Sequence, residues 1–347
     1  MDRLLRTRRI RLGKAWPAGL VMACLLCPGC RKKESAPPTT PAAVKTVSSN
    51  VVPVAPASTT VNATLPTQSV SAATAPATAQ PALTNRQAVL ETPEKALAIY
   101  NRGVSFFQGD GRPQDLAAAV QCFREAAELG LAAAQHNLGF VYLQGQGVPR
   151  DYAEARVWLT KAAEQGLVEA QFKLASLYAN GLGVPQDFRA AAQWVRRAAE
   201  QGHTEAAYNL ATLYVSGQGV ERDLAEAAKW YRQAAEKGKA TAQSNLGVFY
   251  ASGQGVPQDL AEAARWFRKA AEQGHAKAQF NLGQVYTEGK VVAKDLVEAY
   301  KWLSLAEAQG DPDAADQKLE ISLQLTPAQI AEAIRQANAF TAKGLSQ

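Results

Sequence analysis

Three of the four cysteines in this 347-residue chain lie close together near its N-terminus, at Cys24, Cys27 and Cys30. Cysteines at this C-x-x-C-x-x-C spacing could hold a metal ion or an iron–sulfur cluster. However, these thiols belong to an apolar segment that begins at Ala15, which favours another role. The fourth cysteine, Cys122, is alone and cannot form an internal disulfide. We therefore predict no metal site, no disulfide framework and no cofactor.

The three histidines do not indicate chemistry either. His136, His203 and His275 lack cysteines or carboxylates at metal-ligand spacing, and the last two are expected in exposed turns. Gly-x-Gly segments recur, but no predicted strand precedes them and no Lys-Ser/Thr follows, so they do not indicate a phosphate-binding loop. No nucleophile–base pair stands out. The sequence therefore predicts no catalytic residue and a protein that is not an enzyme.

The N-terminus has the pattern of an export signal. Residues 1–14 carry six basic side chains against one acidic one, the apolar run 15–26 follows, and the chain turns polar at Arg31. This segment resembles a bacterial lipoprotein signal, in which a small residue precedes the lipidated cysteine. Gly29 and Cys30 fit best, and Cys24 is the alternative. The resemblance implies a signal peptide over residues 1–30 and an exported protein anchored by lipid to a bacterial membrane, in the periplasm or on the surface.

Beyond residue 14 the chain is almost neutral, with 31 basic and 30 acidic residues. A nucleic-acid partner needs a basic face, so none is predicted. Residues 31–90 are predicted to form a disordered linker rich in Pro, Ala, Thr and Ser, because Lys45 is the only charge between residues 35 and 84 and aromatic residues are missing there. The linker is interpreted either as a spacer from the membrane or as a neutral insert.

From Lys95 the sequence repeats every 36 residues without insertions, and each period ends in glycine. Such strict periodicity predicts a repeat architecture over residues 91–310. The six periods are 95–130, 131–166, 167–202, 203–238, 239–274 and 275–310.

Each period is predicted to contain two helices. In period 239–274, Ala242, Leu246 and Tyr250 share one face of a first helix. Two loop glycines end that helix, and Asp259 is predicted to be the N-cap of a second helix, with Glu262 completing an acidic capping box. Small residues at fixed positions should let neighbouring helices approach closely.

Tyrosine and tryptophan each recur at one equivalent position in periods two to six, on the apolar helix faces, whereas period one has Phe106 and Cys122 there. These rings could be ligand platforms, but at this spacing they are predicted to be core. The two rows are Tyr142, Tyr178, Tyr214, Tyr250 and Tyr286, and Trp158, Trp194, Trp230, Trp266 and Trp302.

Residues 311–347 follow the last period and are predicted to form capping helices. Asp311 and Pro312 can open one helix, and the segment 326–329, Thr-Pro-Ala-Gln, has the N-cap, N1 proline and capping-box glutamine of another.

The 36-residue periods resemble a known family, the Sel-one-like repeats, which are related to the tetratricopeptide repeats. The resemblance is carried by Ala-Gln-x-Asn-Leu-Gly at 242–247 and 278–283, and by Tyr-x-x-Gly-x-Gly-Val at 142–148, 178–184, 214–220 and 250–256. It implies an all-α fold: a right-handed α-solenoid of six helix-turn-helix repeats with a C-terminal helical cap. It also implies a scaffold or adaptor role in binding other proteins.

One variable stripe could bind the partner. Positions six and ten of each first helix share a face, and their identity changes while neighbouring positions hold. Exposed aromatic residues there could grip a peptide, or they could pack on the preceding repeat. The candidate groove residues are Tyr100, His136, Phe140, Phe172, Tyr208 and Phe280.

We therefore predict a non-enzymatic scaffold that binds another protein or peptide in the cell envelope and contacts the membrane through its lipid anchor only. Two alternatives are an accessory factor or hydrolase acting on cell-wall glycan or penicillin-like compounds, and a surface factor that binds host or matrix components.

Overall fold

The computed structural model describes residues 82–111 and 113–345. The predicted signal peptide, the lipidation site at Cys30 and residues 31–81 of the predicted linker lie outside this part of the chain. The described part contains α-helices and no strand, so the all-α repeat fold is confirmed. Its helices are α1 (Ala82–Gln108), α2 (Leu116–Glu128), α3 (Ala132–Gln144), α4 (Tyr152–Glu164), α5 (Val168–Asn180), α6 (Phe188–Glu200), α7 (Thr204–Ser216), α8 (Leu224–Glu236), α9 (Ala240–Ser252), α10 (Leu260–Glu272), α11 (Ala276–Glu288), α12 (Leu296–Ala308), α13 (Pro312–Ser322) and α14 (Pro327–Leu345).

The chain divides into two compact units, one ending at His203 and the other beginning at Thr204. The first unit contains repeats one to three, and the second contains repeats four to six with α13 and α14. Within each unit the two helices of a repeat pack together, and the second helix of each repeat packs on the first helix of the next. This is the stacking of an α-solenoid.

Helix α1 starts earlier than the repeat pattern requires. It begins at Ala82, so it reaches into the range that the sequence pattern assigned to the linker, 31–90. Residues 86–91 and 94–100 contain several alanines and leucines with Gln87 and Lys95, all good helix formers, whereas Pro93 lies inside the helix and opposes it.

The aspartate before each second helix is an N-cap, as predicted. The Asp259 carboxylate accepts hydrogen bonds from the backbone N–H groups of Ala261 at 2.9 Å and Glu262 at 3.0 Å. The predicted capping box is wrong in one respect. The backbone N–H of Asp259 donates to the carbonyl of Tyr250 at 2.9 Å, and the Glu262 carboxylate instead accepts from Arg265. The backbone N–H of Asp259, which a capping box would satisfy, therefore connects the start of the second helix to the end of the first helix.

Close helix packing depends on glycines inside the first helices. A Cβ on Gly139 would lie 2.7 Å from Cγ of Leu159, and one on Gly283 would lie 2.8 Å from Cγ of Leu303. The space left by the missing side chain is thus filled by a leucine of the paired helix. This confirms the close approach that the sequence predicted.

The two C-terminal helices cover the last repeat. Both pack on α12. The Asp311 carboxylate accepts from the N–H of Ala314, and Thr326 exchanges hydrogen bonds with Gln329, so both predicted helix starts are present. Trp302 of α12 meets Phe340 of α14 edge to face, with ring centroids 5.4 Å apart. The helical cap therefore buries apolar surface that a terminal repeat would expose.

Candidate functional site

The predicted binding stripe is largely buried. Tyr100 and His136 are each 1% exposed, and Phe140 and Phe280 are also buried. Tyr100 packs against Phe123 of the paired helix, with ring centroids 5.8 Å apart. For these four residues the expected exposure is wrong, because α3 and α11 each lie between two second helices and α1 packs on α2.

The other two stripe residues, Phe172 and Tyr208, are half-buried. The His203 ring lies over Phe172, with centroids 4.5 Å apart. In the second unit, Lys239 Nζ lies 4.9 Å from the centre of the Tyr208 ring and also pairs with the Glu205 carboxylate. Each of these rings thus lies beside a charged or ionisable side chain from the residue that follows the last glycine of its repeat.

A chain of buried polar groups runs through the first two repeats. The amide of Asn137 donates to the hydroxyl of Tyr100 at 3.0 Å, and its oxygen lies 3.1 Å from Nδ1 of His136. Nε2 of His136 is buried and has no hydrogen-bond partner. Burial lowers the pKa of His136 to about 4 and raises the pKa of Tyr100 to about 12. The histidine is therefore neutral at physiological pH.

The other histidines were expected in exposed turns, and both are half-buried. Nδ1 of His275 accepts a hydrogen bond from the N–H of Ala278 at 3.2 Å and so caps α11. Burial lowers the pKa of His275. His275 therefore serves a helix start, a role that its position at the beginning of a repeat could have suggested.

Buried glutamines connect neighbouring repeats, and the sequence analysis missed them. The Gln243 side chain donates to the carbonyl of Ala235 at the end of α8, 2.9 Å away. Its own oxygen accepts from Gln273 at 2.7 Å. The recurrence of glutamine at spacings of 30 and 36 residues was the available signal. Equivalent pairs are Gln135 with Gln165, Gln171 with Gln201, and Gln279 with Gln309.

The tyrosine and tryptophan rows are less buried than predicted. Trp266 and Trp302 are buried, but Trp158 and the whole tyrosine row are half-buried. Cations cover the exposed faces: Lys161 Nζ lies 4.0 Å from the centre of the Trp158 ring. The tyrosine hydroxyls accept hydrogen bonds from arginines 18 residues earlier. These pairs are Arg124 with Tyr142, Arg232 with Tyr250, and Arg268 with Tyr286.

Within residues 82–111 and 113–345, no group of three or more His, Cys, Asp and Glu side chains is arranged to hold a metal ion. Cys122, the cysteine in this part of the chain, is buried and not bonded to another sulfur. None of the helices described is long and apolar enough to cross a bilayer. Aromatic rings bordered by arginine and lysine recur from repeat to repeat, and such groups suit contacts with another protein.

Family comparison agrees with this geometry. The Sel1 repeat model matches six consecutive segments, 96–131, 132–167, 168–203, 204–239, 240–275 and 276–311, one residue later than the periods counted from Lys95. The chain therefore belongs to the Sel1 repeat family. Proteins of this family are usually non-catalytic scaffolds for protein–protein interaction.

Several solved structures resemble the chain, among them two at 35% and 38% sequence identity. A protective antigen of uropathogenic Escherichia coli strains displaying an SLR fold is 35% identical, with a TM-score of 0.65, over 73% of this chain and 55% of that one. A Sel1 repeat protein from Oxalobacter formigenes is 38% identical, with a TM-score of 0.55, over 65% of each chain. The chain thus spans less than two thirds of the length of either relative. None of the curated proteins matches it.

Proposed function

We propose that this protein is a scaffold that binds another protein in the bacterial cell envelope. The observation that carries the proposal is the array of six Sel1 repeats, because repeats of this kind generally mediate protein–protein interaction. Within each compact unit, stacked repeats offer a surface on which one partner can contact several repeats. Charged groups border aromatic rings in each unit and give this surface polar character and specific anchor points.

Within this proposal, Phe172 and Tyr208 are the stripe residues that remain available to a partner. Both are half-buried, and both lie beside polar groups, His203 and Lys239. Aromatic side chains are among the residues that dominate the energetics of protein interfaces.

The envelope location is proposed from the N-terminal sequence. Cationic residues, an apolar run and Gly29-Cys30 fit an exported lipoprotein. Several acyl chains at Cys30 would anchor the protein stably, since each buried CH₂ contributes about 0.8 kcal/mol. The proline-rich segment after Cys30 would then hold the repeats away from the membrane.

The anchor is tested by metabolic labelling with a radioactive fatty acid in a bacterial host. The wild-type protein and Cys24→Ser should be labelled, whereas Cys30→Ser should not. Labelling of Cys30→Ser but not of Cys24→Ser would move the site to Cys24. If both variants remain labelled, the result contradicts lipidation at this signal.

The scaffold role is tested by crosslinking in intact envelopes, followed by capture and mass spectrometry. A variant with Phe172→Ala and Tyr208→Ala should lose specific partners while its melting temperature stays within a few degrees of wild type. A matched control, Ser176→Ala with Thr212→Ala, changes two positions of the same stripe that carry no ring. An identical partner profile for the aromatic variant and wild type would remove these two residues from the site.

A further inference from the structure

In repeats two, three and five, the second glycine of the Gly-x-Gly loop packs directly on the preceding repeat. A Cβ on Gly147 would lie 2.5 Å from the carbonyl oxygen of Leu116, and a Cβ on Gly183 would lie 2.5 Å from that of Tyr152. Gly255 approaches the start of α8 just as closely. All three have φ between 65° and 73°, a backbone conformation that favours glycine. The glycine therefore lets the loop close over the first turn of the neighbouring second helix.

Repeat six breaks this rule, because Val291 stands where repeat five has Gly255. No described residue other than glycine has a positive φ, so Val291 does not adopt the glycine conformation. A valine also could not fit against the backbone at that distance. The loop accordingly leaves the start of α10 uncovered: Val291 is 36% exposed and Leu260 is 38% exposed. The equivalent residue of α8, Leu224, is half-buried.

A cleft of about 600 Å³ lies between α10 and this loop. Its apolar lining includes Ala261, Ala264 and Trp266 from the helix, and Val291 and Val292 from the loop. All of these residues belong to the second unit. An apolar side chain of a partner could thus be enclosed on two sides, as in small peptide-binding pockets.

The helix side of the cleft carries three basic and two acidic residues. Arg265 is paired with the Glu262 carboxylate at 2.6 Å. Among the other charged residues of the cleft, one acid, Glu272, remains to balance two cations. Those two cations, Arg268 and Lys269, make contacts that do not neutralise them.

Arg268 donates to the phenol of Tyr286 at 2.6 Å, and Lys269 Nζ lies 4.3 Å from the centre of the Trp266 ring. Both partners are uncharged side chains, so a carboxylate brought to this place would gain charge-assisted hydrogen bonds. The cleft therefore combines an apolar recess with excess positive charge at its edge.

We propose that this cleft binds a short acidic segment of a partner protein, with one large apolar side chain inserted between α10 and Val291. Carboxylates beside that side chain pair with Arg268 and Lys269. The inference rests on the proposed scaffold function and gives it a particular site and a partner chemistry. The cleft lies at the repeat junction of the second unit where a loop glycine is replaced by Val291.

Fluorescence anisotropy with short labelled peptides on the full chain tests the proposal. The probe is the pentapeptide Asp-Glu-Leu-Asp-Glu, with Asp-Glu-Gly-Asp-Glu and Lys-Arg-Leu-Lys-Arg as controls. The probe should bind and both controls should bind at least tenfold more weakly. Val291→Gly should weaken probe binding at least tenfold without lowering the melting temperature, because glycine permits the closed loop. Equal binding to wild type and Val291→Gly, or no binding to wild type, overturns the proposal.

Charge reversal provides a test that does not depend on how the loop refolds. Arg268→Glu with Lys269→Glu should abolish probe binding. The matched control, Arg232→Glu with Gln233→Glu, changes the equivalent positions of α8, which face a loop with glycine, and should bind the probe as wild type does. Equal loss in both variants would assign the effect to overall charge and overturn the site.

Two further results separate this inference from the scaffold proposal. If crosslinking in envelopes captures the same partners with wild type and Val291→Gly, the scaffold stands and the cleft is withdrawn. If a peptide of residues 46–60 of this chain binds the cleft more tightly than the acidic probe, the occupant is the protein's own segment, and the acidic partner is withdrawn.

Discussion

At the scale of single residues, His136 is the side chain whose chemistry depends most on the fold. Its ring is buried, one of its nitrogens has no partner, and the amide of Asn137 holds the other. Burial is the largest cause and lowers the pKa of His136 to about 4. The hydrogen bond with Asn137 and the charge of Glu169 raise this pKa and Lys173 lowers it, but burial outweighs them. In the unfolded chain the same group titrates near 6.5. Folding therefore requires a neutral histidine here.

This predicts a loss of stability in acid. Above pH 6.5 the contribution of His136 is complete, and it falls as the pH drops toward 4, because only the unfolded chain binds the proton readily. Between pH 7.5 and pH 5 the loss should be about 2 kcal/mol. Urea melts of wild type and His136→Phe at both pH values measure it. The replacement is apt because Phe172 occupies the equivalent position in repeat three.

The readout is how much each protein's stability changes between the two pH values, so a change in absolute stability on substitution does not matter. His203, His275 and the carboxylates remain in both proteins and cancel. A pH dependence that is the same in wild type and His136→Phe would mean that His136 is hydrated or protonated in the folded protein.

At the scale of helices, the buried glutamines join helices of neighbouring repeats. Gln243 satisfies a carbonyl at the end of α8 and accepts from Gln273 at the end of α10. Gln243→Ala should destabilise the second unit by about 1–3 kcal/mol, because it leaves a buried carbonyl and an amide without their partner. Gln258→Ala is the control: its amide donates to the carbonyl of Ala251 in the last turn of α9, an exposed hydrogen bond that water can replace. Chemical denaturation measures both, and equal losses would contradict the special role of the buried pair.

Helix order and ends were largely predictable, whereas the outward faces were not. Asp259 and its equivalents, the loop glycines and Pro327 act locally, so the sequence alone indicates where helices begin and end. Burial of Tyr100 depends on which helices enclose it, and periodicity cannot distinguish a face turned to a neighbour from one turned to a partner. The exposure of Leu260 could not be predicted either, because it depends on Val291, which replaces a loop glycine 31 residues later.

At the scale of the whole molecule, contacts between nearest neighbours predict that whole repeats can be removed. Deletion of 239–274 should leave a folded helical protein, because repeat six then meets the same kind of surface on repeat four. Deletion of 239–256 removes one helix and places unlike faces together, so it should lose cooperative unfolding. Circular dichroism during thermal melting measures both. Cooperative melting of the second variant would contradict a stack held in register by helix pairs.

The hydrogen bonds between repeats also bear on how fast the chain folds. Asn137 and Tyr100 are 37 residues apart, and the paired glutamines are 30 apart, so these links close short loops. Folding rates rise as the mean sequence separation of contacts falls, since less chain entropy is lost before a contact forms. A segment of about two repeats contains everything needed for its own native contacts. If such a chain emerges gradually from a narrow channel, the end that emerges first can fold before the other end has emerged.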